Sequence, residues 1–327
     1  MSINKELNQT LESISAIAHT AKSHSDIEKA ITLIQKQGDG RGFIHNNTLY
    51  WAVFTLSCLT VLLSIWQQMD FSIETRQYLK LIFIPIGLLS LLTIWFRYRK
   101  VVNTGKRLYV RAVSIKAGVE RLYNFDARAE WRRLAQTYGM FNAGDEGQKI
   151  SAMYQGEVGQ GDDNKVAYKL FEFRYVDVST HISTDSKGRT RTHKTKTTRF
   201  KYGILAEFKN FNSISINRRS FSTKWDSASR TFNKKFKVRC SNEMAAAKFF
   251  DPKTVLAFVD DFHFLKSLEP SIDSVVCLEL PKDIFPTNIH SPSLRQTSQF
   301  INELQSPRSI PRLEKSKELL QLIQQGT

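Results

Sequence analysis

The stretch LYWAVFTLSCLTVLLSIW, from Leu49 to Trp66, contains eighteen residues and no charged side chain. A second apolar run, LIFIPIGLLSLLTIWF, extends from Leu81 to Phe96, and residues 78–80 can lengthen it to the thickness of a bilayer. Aromatic residues stand at the ends of both runs, as at membrane interfaces; they are Tyr50, Trp66, Tyr78 and Trp95. The two runs predict a two-helix transmembrane hairpin over residues 49–96. The alternative is a pair of helices buried in a soluble core, where charge-free runs of this length are uncommon.

The flanking charges predict the orientation of this hairpin. Lys36 and Arg41 precede the first run, whereas the connecting segment QQMDFSIETRQ balances Arg76 with Asp70 and Glu74. Seven Lys or Arg residues follow the second run; they are Arg97, Arg99, Lys100, Lys106, Arg107, Arg111 and Lys116. Because Lys and Arg are enriched in cytoplasmic segments, the pattern predicts a multi-pass membrane protein with both termini in the cytoplasm.

The whole chain is strongly basic, which restricts its partners. Its 327 residues include 47 Lys or Arg and 31 Asp or Glu, a net charge of +16. Residues 97–140 contain eleven Lys or Arg and three acidic residues, directly after the second apolar run. Such a balance favours an anionic membrane surface, an acidic protein or a nucleic acid as partner. The candidate contacts to anionic lipid are Arg97, Arg99, Lys100, Lys106, Arg107 and Arg111.

A long β-hairpin is predicted in the middle of the chain. Apolar residues alternate with polar ones through FEFRY at residues 171–175, and then in the opposite phase from Val176 to Ile182. This change of phase predicts a β-bulge near Tyr175 and Val176. The segment RFKYGILAEF, at residues 199–208, alternates in the same way and is the expected returning strand.

The distal end of this hairpin is its most basic part. The stretch SKGRTRTHKTKTTRFK, from Ser186 to Lys201, has seven Lys or Arg among sixteen residues and no acidic side chain. The expected register pairs Phe171 with Phe208 and puts the turn at residues 187–189. Two interpretations remain open: a solvated tip whose lysines discourage aggregation, or an arm that captures an acidic partner. For the arm, the candidate contacts are Lys187, Arg189, Arg191, Lys194 and Lys196.

Helical and strand patterns alternate along the rest of the chain, which predicts an α+β fold with an antiparallel sheet. Ser25 and Glu28 match a capping box at the start of the second N-terminal helix, and FNKKFKVRC, from Phe232 to Cys240, matches a strand. The expected organisation is N-terminal cytoplasmic helices at 1–48, the transmembrane hairpin at 49–96, basic juxtamembrane helices at 97–140, a cytoplasmic α+β domain at 141–286 and a helical C-terminal tail at 287–327.

A motif in the last third of the chain resembles a known family. Asp226 is followed by F-x-x-x-F-x-V from Phe232 to Val238, by an alanine-rich helix at residues 245–247 and by Pro252. In this pattern the chain resembles the bacterial family known as domain of unknown function thirty-one thirty-seven, over about residues 106–285. The resemblance implies a protein of the bacterial inner membrane with paired spans and a cytoplasmic α+β domain. It implies no established activity and no catalytic residues.

No residue pattern predicts catalysis. His263 and Asp260 are the best local candidates, but a single i,i+3 pair is too small for a metal site. The glycines of YQGEVGQGDDNK, at residues 154–165, match neither a dinucleotide loop nor a P-loop, and they predict a turn. The cysteines are far apart in sequence, which indicates a reducing compartment rather than a disulfide framework; they are Cys58, Cys240 and Cys277. We therefore expect no enzyme, no cofactor and no metal.

Two classes of function remain. The first is a membrane-anchored binding or scaffold protein that engages a cytoplasmic protein, favoured by the long hairpin and by the absence of catalytic motifs. The second is a membrane-tethered nucleic-acid-binding protein. It is favoured by the charge, and by Arg218, Arg219 and Lys224 beside Phe221 and Trp225. An enzyme whose dispersed residues match no motif is a further alternative.

Overall fold

The computed structural model describes residues 3–38, 42–65, 72–159, 161, 164–184, 190–208 and 211–326. The helices in these ranges are α1 (Ile3–Thr20), α2 (His24–Gln37), α3 (Thr48–Ile65), α4 (Ile73–Lys116), α5 (Ala127–Thr137), α6 (Arg230–Lys235), α7 (Glu243–Phe249), α8 (Pro252–Asp260), α9 (Thr297–Gln305) and α10 (Pro311–Gln325). The strands are β1 (Val119–Leu122), β2 (Glu146–Val158), β3 (Val166–Thr184), β4 (Thr190–Glu207), β5 (Ile214–Ile216), β6 (Thr223–Trp225), β7 (Val238–Cys240), β8 (Ser267–Pro270) and β9 (Val275–Leu280).

The chain divides into two compact units. The helical unit comprises Met1–Ile115 and His290–Arg308, and the α+β unit comprises Lys116–Ile289 and Ser309–Thr327. The predicted α+β class is confirmed, since nine described strands form one antiparallel sheet. The predicted C-terminal tail is divided between the units, because α9 belongs to the helical unit and α10 to the α+β unit.

In the helical unit, α1 and α2 bury one apolar stripe each. The stripes consist of Leu7, Leu11 and Ile14 on α1 and of Ile27, Ile31 and Ile34 on α2. The predicted capping box of α2 is wrong by two residues. Ser23 is the N-cap, and its backbone N–H donates to the Asp26 carboxylate at 3.3 Å. An acidic residue at the third helical position can thus replace the expected Glu28.

Helices α3 and α4 are long and apolar enough to cross a membrane. Only 11% of the residues in the most apolar stretch of each helix are buried within the chain, so neither helix lies in a core of this chain. Small residues mark where they meet: a Cβ at Gly87 would lie 3.4 Å from the Cβ of Ser57. Ser57 and Ser90 are buried, and each hydroxyl donates to a carbonyl of its own helix. Such small-residue contacts are typical of packed transmembrane helices.

Helix α4 continues without interruption from the apolar run into the basic segment. It has 44 residues, includes Pro85 and ends at Lys116, which corresponds to about 66 Å at 1.5 Å per residue. The expected boundary at residue 97 is therefore not a break in structure. Residues 97–140 are mostly helical, as expected, but they also contain β1 at Val119–Leu122, which pairs with β2 as an edge strand.

The sheet of the α+β unit has the strand order β1-β2-β3-β4-β9-β8-β5-β7-β6. Its longest pair, β3 and β4, confirms the predicted hairpin, but the expected register is wrong. Phe171 lies opposite Gly203 rather than Phe208, and the pairing is continuous from Tyr168/Ala206 to Thr184/Thr190. The irregularities are in β2, between Glu146 and Lys149 and between Ile150 and Ala152, so the bulge is not in β3. The predicted turn at residues 187–189 lies outside the described residues.

Both faces of the sheet are covered near the base of the hairpin. One face packs Phe171, Phe173 and Leu205 against Leu134 and Phe141. On the opposite face of the sheet, Leu170, Ile204 and Leu278 are also fully buried. The alternation argument fails at Tyr175 and Val176 because the apolar residues of the second phase are not part of this core: Val176 and Val178 are half-buried, and Ile182 is 70% exposed.

An aromatic cluster occupies the other end of the sheet. It is formed by Trp225, Phe232, Phe236, Phe249, Phe250 and Phe258. The predicted strand at Phe232–Cys240 is wrong over its first half, because Phe232 lies on α6 and only Val238–Cys240 is a strand. Pro252 begins α8, as predicted, and the Asp251 carboxylate caps it by accepting from the Thr254 N–H at 2.6 Å.

Candidate functional site

The basic segment of α4, residues 97–116, begins with a side chain that joins two helices. The guanidinium of Arg97 donates to Asn47 Oδ1 at 3.0 Å and lies 4.5 Å from the ring centroid of Tyr50. Asn47 directly precedes α3, so Arg97 connects the end of the apolar part of α4 to the start of α3. Trp51, Trp95 and Tyr98 are exposed at this same end, which is the arrangement of an interfacial aromatic belt.

The next two basic residues have different surroundings. Arg99 is exposed and its guanidinium lies 4.8 Å from the ring centroid of Trp95. Lys100 Nζ donates to Asn8 Oδ1 at 3.2 Å and to Glu12 Oε1 at 3.0 Å. Lys100 therefore forms an ion pair with α1, whereas the guanidinium of Arg99 is exposed beside Trp95.

The remaining three candidate lipid contacts divide into exposed and buried groups. Lys106 and Arg107 are exposed, and no hydrogen bond or ion pair to either is present within the described ranges. Arg111 is only 8% exposed, and its Nε–H donates to the carbonyl of Ala21 at 2.6 Å. This carbonyl lies just beyond the end of α1, where helical carbonyls lack partners. Arg111 is thus a structural residue, and its assignment as a lipid contact is corrected.

A buried histidine lies among the cations of the helical unit. His45 is 5% exposed, and its Nε2 is 3.3 Å from Asn8 Oδ1. Burial, together with the positive charges of Arg97, Lys100 and Arg295, lowers the pKa of His45 from 6.5 to about 4. The histidine is therefore neutral at physiological pH.

The hairpin extends beyond the strands that flank it. Pairing of β2 with β3 ends at Glu146/Val176, and pairing of β9 with β4 ends at Tyr202/Leu280. Residues 177–184 and 190–201 thus form a two-stranded segment, here named the hairpin extension. All described residues from Thr190 to Phe200 are exposed. This is the part of the α+β unit with the longest continuous exposed strand.

The charged side chains of the hairpin extension lie on both of its faces. Lys194 and Lys196 share one face, and Arg191 and Arg199 share the other, because alternate residues of a strand point to opposite sides. Lys196 Nζ is 2.6 Å from Glu146 Oε2, and Arg199 Nε is 2.6 Å from Asp177 Oδ2. Neither Arg191 nor Lys194 forms such an ion pair with a described residue, so these two are the more available cations. Lys187 and Arg189 lie outside the described residues.

The second basic and aromatic cluster is engaged internally. Arg218 forms an ion pair of 2.6 Å with Glu279, and Lys224 forms one of 2.7 Å with Asp226. The ring of Trp225 stacks on Phe250 with a centroid distance of 5.2 Å and an angle of 23°. Nucleic-acid binding through such a cluster would use exposed aromatic faces and free cations, and the observed contacts occupy most of them.

The side chains of the candidate catalytic pair, His263 and Asp260, do not contact each other through a hydrogen bond. His263 is exposed, and its Nδ1 is 3.0 Å from the backbone carbonyl of Asp260, not from its carboxylate. Cys277 is 2% exposed beside Met140 Sδ at 3.2 Å, and burial raises the pKa of its thiol well above the usual range. Among the described residues, no three His, Cys, Asp or Glu side chains form a possible metal site. The predicted turn at residues 154–165 is wrong over its first part, because β2 continues to Val158, and residues 160, 162 and 163 lie outside the described ranges.

Comparison with known proteins yields no relative: no family model matches the chain, and no curated protein or solved structure matches it. The resemblance to the family of unknown function stays a prediction. The two surfaces described above, on α4 and on the hairpin extension, are therefore assessed from their geometry and charge alone.

Proposed function

We propose that this chain is a membrane-anchored binding or scaffold protein of the bacterial inner membrane, with both termini and the α+β unit in the cytoplasm. The observation that carries the proposal is the continuity of α4. One helix contains an apolar stretch exposed along its length and then a basic segment that starts at Arg97. A rigid helix that joins these two parts would hold the basic segment at the membrane surface.

The exposed apolar side chains of α3 and α4 support the anchor. Large residues exposed on these helices include Leu56, Leu59, Leu62, Leu81, Leu88, Leu89 and Leu92. A soluble protein seldom leaves such a continuous apolar surface in water. Within lipid the same surface is solvated by acyl chains, and the small-residue contact at Gly87 and Ser57 supplies the packing between helices.

The binding role rests on the hairpin extension. Its strands project beyond the sheet and expose both faces, and no described carboxylate forms an ion pair with Arg191 or Lys194. An acidic cytoplasmic protein is the partner that this charge favours. A nucleic acid is less well supported, since Trp225 stacks internally and Arg218 is paired.

Site-specific photocrosslinking in native membranes tests the proposal. A photoreactive residue at Thr195, which is exposed on the hairpin extension, is compared with one at Ile272, which is 97% exposed in the turn after β8. We expect the protein in the membrane fraction, with one predominant acidic protein crosslinked from position 195 and not from position 272. Nuclease-sensitive crosslinks, or recovery of the chain in the soluble fraction, would contradict it.

A further inference from the structure

On its outer side, β4 in the hairpin extension pairs with no strand of the described ranges. At the base of the hairpin, the N–H of Phe208 donates to the carbonyl of Ser274 at 2.9 Å, in register with the β4–β9 pairs. In a regular antiparallel strand every second residue directs its N–H and C=O to the same neighbour. The even-numbered residues of β4 therefore face the β9 side, and the odd-numbered ones face β3.

An independent contact on the other side of the hairpin agrees with this assignment. The N–H of Asp145 donates to the carbonyl of Val176 at 2.9 Å, on the β2 side of β3. Even-numbered residues of β3 thus face β2, and its odd-numbered residues face β4. Odd-numbered residues of β3 pair with odd-numbered residues of β4, as in Tyr175/Arg199 and Ser183/Arg191. Both contacts therefore indicate that the even-numbered residues of β4 direct their backbone groups away from β3.

Strand β9 ends at Leu280 opposite Tyr202, and no described strand pairs with this side of β4 beyond that point. The residues that direct backbone groups outward there are Thr190, Thr192, Lys194, Lys196 and Thr198. Each offers one N–H and one C=O, and all five are exposed. The opposite edge of the hairpin extension differs, because the Asp145 carboxylate accepts the Val178 N–H at 2.7 Å and ends the β2 edge there.

We propose that the outer edge of β4, from Thr190 to Thr198, binds an extended acidic segment of a partner protein as an added strand. Strand addition to an exposed edge uses main-chain hydrogen bonds for affinity and side chains for specificity. A strand beside β4 with a carboxylate at every second position would direct these carboxylates toward Lys194 and Lys196 on one face of the hairpin extension. The inference rests on the proposed binding function and specifies its partner and its mode.

The charge of the edge excludes a second copy of this chain as the occupant. The described part of the hairpin extension contains five basic residues, Arg191, Lys194, Lys196, Arg199 and Lys201, and one acidic residue, Asp177. Pairing two copies would place like charges opposite each other, which destabilises strand pairs. An acidic segment relieves this repulsion while it satisfies the backbone groups.

The test compares two peptides of equal charge on the full-length protein in detergent. The first is a ten-residue peptide of alternating Glu and Thr, and the second has the same sequence with every backbone nitrogen methylated. We expect the unmodified peptide to bind at low salt with a Kd at least about tenfold lower than the methylated peptide, since only the first can donate ladder hydrogen bonds. A Lys and Thr peptide of the same length should not bind.

A matched pair of protein variants tests the same edge from the other side. Thr192→Pro removes an outward N–H and changes no charge, and proline is tolerated where a strand N–H faces solvent. Thr192→Val keeps the N–H. We expect Thr192→Pro to raise the Kd of the unmodified peptide about tenfold and Thr192→Val to leave it unchanged. The methylated peptide should bind both variants with the same Kd. Amide exchange at Arg199 and Tyr175 verifies that the hairpin remains paired.

The outcomes separate this inference from the proposed function. Equal binding of the two peptides by the unaltered protein would overturn strand addition and leave capture of an acidic partner by charge in place. If neither peptide binds, both strand addition and the acidic-partner role of the hairpin extension are wrong. The peptide comparison needs no substitution, so a folding defect in a variant does not affect it.

Discussion

Phe171 on β3 lies directly opposite Gly203 on β4, and its ring occupies the space that a side chain at residue 203 would need. A Cβ at residue 203 would lie 2.6 Å from Phe171 Cζ and would also collide with the carbonyl oxygen of Leu278. This contact locks the register of the hairpin, because a shift of either strand would put a larger side chain against Phe171.

We therefore expect Gly203→Ala to destabilise the α+β unit by about 1–3 kcal/mol, the usual cost of overpacking a core. Gly139→Ala is the control, since a Cβ there meets nothing closer than Glu269 Oε1 at 3.8 Å. Chemical unfolding of the full-length protein in detergent measures both. Equal stability of the two variants would show that Gly203 does not set the register.

His45 predicts a pH dependence of the helical unit. Its pKa is lowered from the ordinary value of 6.5 to about 4 by burial and by Arg97, Lys100 and Arg295. Above pH 6.5 the histidine is neutral in both states and its contribution is constant. As the pH falls from 6.5 toward 4, only the unfolded state gains the proton, so stability decreases by about 1 kcal/mol per pH unit.

Thermal unfolding of the unaltered protein and of His45→Asn, measured between pH 7 and pH 4.5, checks this expectation. The variant has no proton to gain at this position, so its melting temperature should decrease less on acidification. Parallel pH profiles for the two proteins would mean that the pKa of His45 is the same in the folded and the unfolded state.

In the basic segment of α4, we expect Lys106 and Arg107 to contact lipid and Arg111 to stabilise the fold. Lys106→Gln with Arg107→Gln removes two exposed charges, and we expect a loss of the stabilisation by anionic lipid, about 1 kcal/mol per charge at most. Arg111→Gln leaves the carbonyl of Ala21 unpaired, so stability should fall by about 1–3 kcal/mol in neutral and anionic lipid alike. Unfolding in nanodiscs of both compositions distinguishes them, and identical responses of the two variants would reject the separation.

The cations of the hairpin extension should matter for binding and not for folding. Arg191→Gln with Lys194→Gln removes two exposed charges without close partners, so the free energy of unfolding should change by less than about 0.5 kcal/mol. Crosslinking from position 195 should be lost. The control is Lys248→Gln with Lys253→Gln, two exposed charges on α7 and α8. Unchanged crosslinking in the hairpin variant would mean that the hairpin extension is a solvated tip whose cations do not bind the partner.

Cysteine labelling tests the proposed orientation. Cys240 and Cys277 are buried, and Cys58 lies on the apolar helix α3, so new cysteines at exposed Ser72 and Ser306 can be read against a low background. Spheroplasts expose the outer surface of the inner membrane to an impermeant thiol reagent. We expect this reagent to label residue 72 in intact spheroplasts and residue 306 only after lysis. The reverse pattern would invert the topology.

Several features of the fold follow from local sequence because they depend on neighbouring residues only. The apolar runs around Phe54 and Leu89 predict α3 and the first part of α4, and the alternating residues near Phe173 and Ile204 predict β3 and β4. The cap of α8 at Asp251 and Pro252 is equally local. The two basic segments, residues 97–116 and 186–201, are likewise evident from composition alone.

Contacts between residues distant in sequence decided the rest. Arg111 has the same sequence signature as Lys106, but the end of α1, ninety residues away, buries it. The register of the hairpin depends on Gly203 against Phe171, and the neutral state of His45 depends first on its burial and then on cations from α4 and from the segment before α9. The sequence by itself thus determined which segments are apolar, extended or basic, since these are properties of short windows. Only the tertiary structure decided which charges are buried and which strand edge is free, because burial and pairing are set by what the folded chain brings alongside.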